Sequence, residues 1–312
     1  MSTKILLAVL LICCGVINAC SQTGSPNQPT AAVVLVGSTA GDSLIKSLLT
    51  IHPDTKVDFI RWDLTLNNGE NNANTFVLNI NFGEGQPNTS GFKGGGQKLS
   101  FHGKYAVSQS AGQNLNGEIY QLKGHKLPAS LSMVKLNDNL FHLLTPGNRL
   151  VVGNDGWSYT LNRKVPLTNI SFVLPSFTAA SALLNDTARR VIFGGRTPCA
   201  DFAKQYNFQV GNDCNKLKWK LTLQRDPNTF APTTYALWWT LHRADTVEGN
   251  WTISKGSVTN PEAVIYQLDP DKPSQSISFL AGDKNVIYCL DKNGNLFTGD
   301  KDFSYTLNKM EQ

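Results

Sequence analysis

The sequence has few charged residues and, beyond its first 17 residues, no long apolar run. Charged side chains make up 16% of the 312 residues, with 28 basic against 23 acidic ones and a net charge of +5. The basic residues are scattered and form no run of the kind that contacts a phosphate backbone, which argues against a nucleic-acid partner. The lack of a second apolar stretch argues against a membrane-spanning helix in the rest of the chain.

Residue types that carry catalytic or metal chemistry are also scarce. Only Cys199, Cys214 and Cys289 lie beyond residue 20, and the chain has three methionines and five histidines without a metal-binding spacing. No Gly-x-Ser-x-Gly elbow and no set of acid, base and nucleophile can be identified. The sequence therefore predicts a protein that is not an enzyme.

The N-terminus holds the one long apolar run, from Ile5 to Ile17. This length suits the core of a signal peptide spanning residues 1–19. The run ends in Ile-Asn-Ala-Cys at Cys20, which resembles the lipobox of bacterial lipoproteins. The resemblance implies lipidation of Cys20 and anchoring to a membrane leaflet. The alternative is an ordinary secretory peptide that is cleaved near Ala19 and leaves this cysteine unmodified.

Both alternatives predict a mature chain that leaves the cytoplasm. Residues 20–30 are polar, contain two prolines and have the composition of a tether. A serine follows the cysteine, which by resemblance to lipoprotein sorting rules favours the outer membrane. We therefore expect a lipid-anchored protein of the cell envelope.

An internal repeat organises the rest of the chain. Three sequence blocks recur 146 positions later, and an earlier block recurs after 157 positions. The recurring pairs include Trp62–Leu66 with Trp219–Leu223, Ile119–Leu122 with Ile265–Leu268, and Trp157–Arg163 with Phe303–Lys309. An extra stretch at 83–97 accounts for the difference in offset, and a hairpin tip tolerates such an insertion. The repeat predicts two domains, 31–163 and 188–309, joined by a connector at 164–187.

Each repeat has the pattern of a small all-β domain. Short β-branched and aromatic runs alternate with turn pairs such as Asn293-Gly294, and helical periodicity occurs only briefly after Asp42 and Asp201. About eight short strands per repeat predict an antiparallel, lipocalin-like meander barrel, because closure removes exposed strand edges.

The second repeat resembles the N-terminal domain of the NlpE family of outer-membrane lipoproteins. The resemblance rests on Thr-Pro-Cys-Ala-Asp at 197–201 after a strand that ends in glycine, followed by Leu-x-Leu, Gly-x-Trp and Tyr-x-Leu strands. It covers most of the second repeat and, more faintly, the first. It implies a non-catalytic binding or envelope-stress role, with copper as a possible ligand and an envelope protein as a possible partner. A lipocalin-like protein that binds a small molecule is the alternative.

The cysteine pattern departs from that family. The family keeps a Cys-x-x-Cys, which can hold a soft metal such as Cu(I) or form a redox pair, but Phe202 stands three positions after Cys199. Cys214 is the remaining candidate partner. A disulfide between Cys199 and Cys214 is favoured, while a metal pair and free thiols stay open. Cys289 aligns with Leu143 of the first repeat, which predicts a packed apolar position.

Two adjacent tryptophans, Trp238 and Trp239, fall in a predicted strand. Successive strand residues point to opposite faces, so we expect one tryptophan in the core and the other exposed. The exposed one is a candidate contact for a ligand or partner.

Overall fold

The computed structural model describes residues 32–69, 73–112, 115–168, 186–211, 214–240, 246–257 and 260–311. The predicted signal peptide, the tether with Cys20, and residues 169–185 of the connector lie outside this part. Ala31–Gln312 forms one compact unit that contains two closed antiparallel barrels of eight strands each. The prediction of two tandem all-β barrels is confirmed.

The strands follow one another around each barrel, as in a meander. Barrel 1 consists of β1 (Val33–Ala40), β2 (Phe59–Asn67), β3 (Thr75–Gly83), β4 (Gln97–Gly112), β5 (Leu115–His125), β6 (Leu131–Asn137), β7 (Leu140–Leu144) and β8 (Thr160–Arg163). Barrel 2 consists of β9 (Arg190–Pro198), β10 (Lys216–Arg225), β11 (Pro232–Trp239), β12 (Val247–Ser257), β13 (Asn260–Leu268), β14 (Ile277–Ala281), β15 (Val286–Leu290) and β16 (Thr306–Lys309).

Both barrels close where the last strand pairs with the first. Val36 lies opposite Asn162 in barrel 1, and Gly194 lies opposite Asn308 in barrel 2. Gly37 sits beside this seam, where an added Cβ would lie 2.9 Å from Leu161 Cδ2. A side chain at this position would have to displace Leu161 and would lie 3.2 Å from the Thr160 carbonyl oxygen, so the close seam favours glycine.

Alternating side chains fill the barrel interiors. In β2 the buried residues Trp62, Leu64 and Leu66 alternate with less buried ones, which is the pattern of a strand with one face on a core. The corresponding Trp219, Leu221 and Leu223 of β10 are buried as well, although Thr222 between the last two is also buried. The indole N–H of Trp62 donates to Thr39 Oγ1 at 2.8 Å, and that of Trp219 donates to the corresponding Thr197 Oγ1 at 2.9 Å.

One short helix follows the first strand of each barrel: α1 (Ser43–Leu48) and α2 (Ala200–Gln205). Both helices lie where the sequence shows brief helical periodicity. Asp42 caps α1, because its Oδ1 accepts a hydrogen bond from the Ile45 N–H at 2.9 Å. The α2 helix begins at Ala200, so Asp201 lies in its first turn, and no side chain caps it.

The two barrels pack against each other through an apolar cluster that belongs to neither interior. It joins residues of β5–β7 and the loop after β7 with residues of β13–β15 and the loop after β15: Ile119, Val134, Leu136, Leu140, Leu144 and Leu150 with Ala263, Leu280, Val286, Tyr288, Leu290 and Leu296. Hydroxyl contacts accompany the cluster, with Ser158 Oγ 2.5 Å from Ser304 Oγ and Thr160 Oγ1 2.9 Å from Thr306 Oγ1. In the described part of the chain, no helix is long and apolar enough to span a membrane.

Candidate functional site

The predicted disulfide between Cys199 and Cys214 is present, with the two Cα atoms 5.7 Å apart. It joins the residue before α2 to the segment that leads into β10. Cys199 is buried in the core of barrel 2, next to the α2 residue Phe202. Phe202 is fully buried and its ring lies 4.9 Å from that of Trp219. Phe202, three positions after Cys199, therefore packs into the core of barrel 2.

The alternative of a metal held by Cys199 and Cys214 has no free thiolate to use in this form of the protein, because the two sulfur atoms are bonded to each other. Among the described residues, no group of three or more histidine, cysteine or acidic side chains could hold a metal ion. Cys289 is the free cysteine of the described chain and is fully buried in barrel 2. Burial raises the pKa of its thiol, as expected for a residue that fills space.

The two tryptophans point to opposite sides of β11, as predicted. Trp239 is 3% exposed and its ring lies 5.1 Å from that of Trp219 inside barrel 2. Trp238 is half-buried on the outer surface, where it lines an open groove with Lys216 and Lys218. Trp238 is therefore the tryptophan that a ligand or partner can reach.

A cleft of about 410 Å³ lies beside this groove, between the two barrels. Barrel 1 contributes Ser38, Phe59, Arg61 and Trp157, barrel 2 contributes Arg196, Asn215, Lys216, Asp300, Asp302 and Phe303, and the insertion after β3 contributes Asn88, Thr89 and Ser90. Several of these residues are counterparts in the two repeats. Ser38 corresponds to Arg196 and Trp157 to Phe303, so the cleft lies where equivalent surfaces of the two barrels meet.

Two cations in the cleft contact aromatic rings and form no ion pair with a carboxylate of the described chain. Arg196 Cζ lies 5.1 Å from the ring centre of Trp157, and Lys216 Nζ lies 5.8 Å from that of Phe303. Neither cation forms an ion pair with a described residue. The Nε atom of Arg196 is buried and has no hydrogen-bond partner among the described residues. A ring contact of this kind contributes only about 0.5–1 kcal/mol when exposed, so both positive charges can still attract an anion.

The pKa of Lys216 is affected by the other positive charges near the cleft. Partial burial lowers this pKa, the nearby charges of Arg196 and Lys218 lower it further, and Asp302 raises it. An anion bound between the cations would remove part of this repulsion and raise the pKa of the lysine.

The third cation of the cleft, Arg61, is already paired. It forms an ion pair with Asp302, and its Nη2 donates to the carbonyl oxygen of Ser90 at 2.7 Å. Its Cζ also lies 5.7 Å from the ring centre of Phe59. Arg61 therefore holds the insertion against barrel 1 and fixes one wall of the cleft.

The acidic side chains of the cleft, Asp300 and Asp302, also have partners within the protein. Asp302 also lies 2.8 Å from Lys301 Nζ. Asp300 Oδ1 accepts the backbone N–H groups of Asp302 and Phe303 at 2.7 and 2.8 Å. The described lining contains no histidine, cysteine, tyrosine or glutamate.

Nothing in the sequence alone marked Arg196, Lys216, Trp157 and Phe303 as residues of one cleft. The signal for the cations lay in the repeat itself, because Arg196 and Lys216 replace the neutral Ser38 and Phe59 of the first repeat. A scan against protein-family models, a search of curated proteins and a search of solved structures found no match to this chain.

Proposed function

We propose that this chain is an exported, NlpE-like lipoprotein that binds a small anionic ligand and has no catalytic activity. The sequence resemblances support export, a lipid anchor on Cys20 and a place in the cell envelope, with the outer membrane favoured. The tandem barrels support a binding or sensing role, in which an envelope protein is a further partner. The lipid anchor is tested by labelling cells with a fatty acid and comparing the native chain with Cys20→Ala.

The observation that carries the ligand proposal is the pair of cations, Arg196 and Lys216, in the cleft between the barrels. Both lie over aromatic faces and form no ion pair with a described residue. The planar guanidinium of Arg196 suits two parallel hydrogen bonds to a carboxylate or phosphate. Phe59, Trp157 and Phe303 give the lining an apolar part that can contact the rest of the ligand. We therefore propose a ligand that combines a carboxylate or phosphate with a small planar apolar group.

The test is a calorimetric titration of the chain from residue 21 onward with benzoate, phenyl phosphate and inorganic phosphate, and with benzyl alcohol as the uncharged comparison. We expect an anion to bind and Arg196→Ala to weaken it about tenfold or more, since a hydrogen bond to a charged group contributes about 1.5–3 kcal/mol. Arg189→Ala is the matched control, because it removes an exposed arginine away from the cleft. Equal binding by Arg196→Ala, or binding of benzyl alcohol alone, would contradict the proposal.

The lipocalin-like alternative places the ligand inside a barrel. Large buried side chains occupy this space in barrel 1, including Trp62, Phe76 and Phe101. A ligand there would displace packed aromatic groups, whereas the cleft is already open. These observations favour the cleft.

The copper part of the resemblance depends on reduced thiols. Cu(I) binding by the same soluble chain is measured before and after reduction of the disulfide. Binding only after reduction would support a copper role for Cys199 and Cys214. Binding in neither state would contradict a copper role.

A further inference from the structure

The contact between the two barrels has the pairing pattern of a two-fold symmetric dimer. The Gly153 N–H donates to Asn308 Oδ1 at 2.8 Å, and the Gly299 N–H donates to Asn162 Oδ1 at 2.8 Å. Each residue of the second bond is the counterpart, 146 positions away, of a residue of the first. The donor and acceptor have exchanged barrels, which is the defining property of an isologous interface.

Other contacts repeat this exchange. Asn162 Nδ2 donates to the carbonyl oxygen of Asp300 at 2.9 Å, and Asn308 Nδ2 donates to that of Asn154 at 3.3 Å. Asp300 and Asn154 are again counterparts at the same offset. Two independent hydrogen bonds thus have reciprocal copies across the interface.

Residues on the symmetry axis contact their own counterparts. Ser158 contacts Ser304, and Thr160 contacts Thr306. The ring of His142 lies edge-on to that of its counterpart Tyr288, with ring centres 5.7 Å apart. Only a two-fold axis brings corresponding residues of two copies into contact with each other.

The burial of the outward side of β7 and β15 shows that another protein surface must cover it. The strands β7 and β15 are buried at every position, although the outward side of a barrel strand normally meets water. Leu140 and Leu144 on β7 are each 2% exposed and belong to the apolar cluster between the barrels. An added Cβ on Gly282 of barrel 2 would lie 2.8 Å from Leu150 Cδ1 of barrel 1, so the barrels are in direct contact.

From this geometry we infer that the outer face of β5–β7, and equally that of β13–β15, is a self-complementary protein-binding surface. Its natural partner is a second copy of the same repeat. In this chain the other repeat takes that place, so the protein is a covalently linked pseudo-dimer. When one face is damaged, the intact face of the same chain is expected to pair with an identical face of a second chain.

The experiment damages one face and measures mass in solution. Leu140→Lys with Leu144→Lys, in the chain from residue 21 onward, places two charges on the barrel 1 face without touching the barrel 1 interior. Light scattering after size exclusion is expected to show a doubled mass at protein concentrations of about 0.1–1 mM, comparable with the effective concentration that a linker provides. Adding Val286→Lys and Leu290→Lys, the counterpart changes, is expected to restore a monomer.

A matched control places the same charges elsewhere. Val77→Lys with Val107→Lys changes two exposed valines, 39% and 42% exposed, and the mass is expected to stay that of the native chain. Circular dichroism verifies that each variant is folded. A folded Leu140→Lys, Leu144→Lys chain that stays monomeric throughout this range would overturn the inference.

A crosslink on the axis separates symmetric pairing from general aggregation. Ser304→Cys faces Ser158 in the native chain, so oxidation is expected to give no covalent dimer. In the Leu140→Lys, Leu144→Lys background, two Ser304→Cys residues are expected to meet on the axis and form an interchain disulfide, visible on a non-reducing gel. A doubled mass without this crosslink would overturn the symmetric arrangement.

Discussion

The two barrels have the same architecture, but the short helix that follows the first strand is held in place by different interactions in each. In barrel 1, α1 is capped by the side chain of Asp42, and the Tyr159 hydroxyl also donates to this carboxylate. In barrel 2, α2 has no side-chain cap, and the disulfide from Cys199 to Cys214 ties its start to β10. The same helix can therefore be secured by hydrogen bonds or by a covalent crosslink.

Two counterpart positions that line the cleft differ in charge between the barrels. Inward residues such as Trp62 and Trp219 are the same in both repeats, together with their hydrogen bonds. At the cleft, Ser38 and Phe59 of barrel 1 are replaced by Arg196 and Lys216. The packed interior therefore has the same tryptophan and hydrogen bond in both barrels, while the surface between the barrels differs in charge.

The largest effect is expected from the shared tryptophans. Trp62→Ala and Trp219→Ala are each expected to lower the free energy of unfolding by about 3–5 kcal/mol, because each removes a buried indole and leaves a cavity. Urea denaturation measures both values. The half-buried Trp238→Ala is the control and is expected to cost less. A loss of stability in only one of the two variants would contradict the equivalence of the two barrel interiors.

The disulfide is expected to matter for barrel 2 alone. Replacing Cys199 and Cys214 together with alanine is expected to cost about 3 kcal/mol, since the bond closes a loop of 15 residues in the unfolded chain. Denaturation with and without a reducing agent gives an independent value. The reducing agent should have no effect on the double variant, and an equal effect there would show that its action does not depend on this bond.

His142 is expected to make the interface sensitive to acid. Its Nε2 lies 2.9 Å from the Val151 carbonyl oxygen and its Nδ1 lies 2.9 Å from Thr160 Oγ1. A carbonyl can only accept, so Nε2 carries the proton and the Thr160 hydroxyl donates to Nδ1. Burial lowers the pKa of His142 to about 4, and the ring is therefore neutral in the folded protein at neutral pH.

The unfolded chain protonates this histidine at its ordinary pKa of about 6.5, so unfolding takes up a proton between about pH 6.5 and pH 4. Stability is expected to fall as the pH falls through this window, by about 2 kcal/mol from pH 7 to pH 5. Denaturation across this range measures the slope. His142→Gln should flatten this part of the curve, and an unchanged slope in that variant would assign the acid sensitivity to other groups.

The barrels could be predicted from sequence because their signals lie in short stretches and in the repetition of those stretches along the chain. Short alternating strands, turn pairs and the 146-residue offset indicated eight strands per repeat. The opposite orientations of Trp238 and Trp239 followed from strand geometry alone. The disulfide was favoured because Cys214 was the one nearby partner for Cys199.

The cleft could not be predicted in the same way, because it exists only where the barrels meet. Its cations, Arg196 and Lys216, are separated along the chain by a helix and a loop. The apolar stretch Val286–Leu290 did contain a signal for the interface, since a strand without alternation is covered on both faces. Which surface covers it depends on packing between distant segments, and periodicity within one strand carries no such information.

The smallest effect is expected from the side-chain cap of α1, which α2 does not have. Asp42→Ala removes the acceptor for the Ile45 N–H and is expected to cost about 1 kcal/mol, as for other helix caps. The Tyr159 hydroxyl loses one acceptor but keeps the Ala40 carbonyl oxygen at 3.2 Å. Asp42→Asn retains an oxygen at the cap and should cost less, which urea denaturation of the two variants will compare.

The cap and the disulfide act on the folding free energy by different routes. The cap stabilises the folded helix directly, whereas the crosslink mainly restricts the unfolded chain. Introducing Asp42→Ala into the chain that lacks the disulfide should therefore cost the same as in the native chain, because the two sites lie in different barrels and additivity holds for separate sites. A larger cost in the double background would mean that α1 and α2 are coupled through the interface between the barrels.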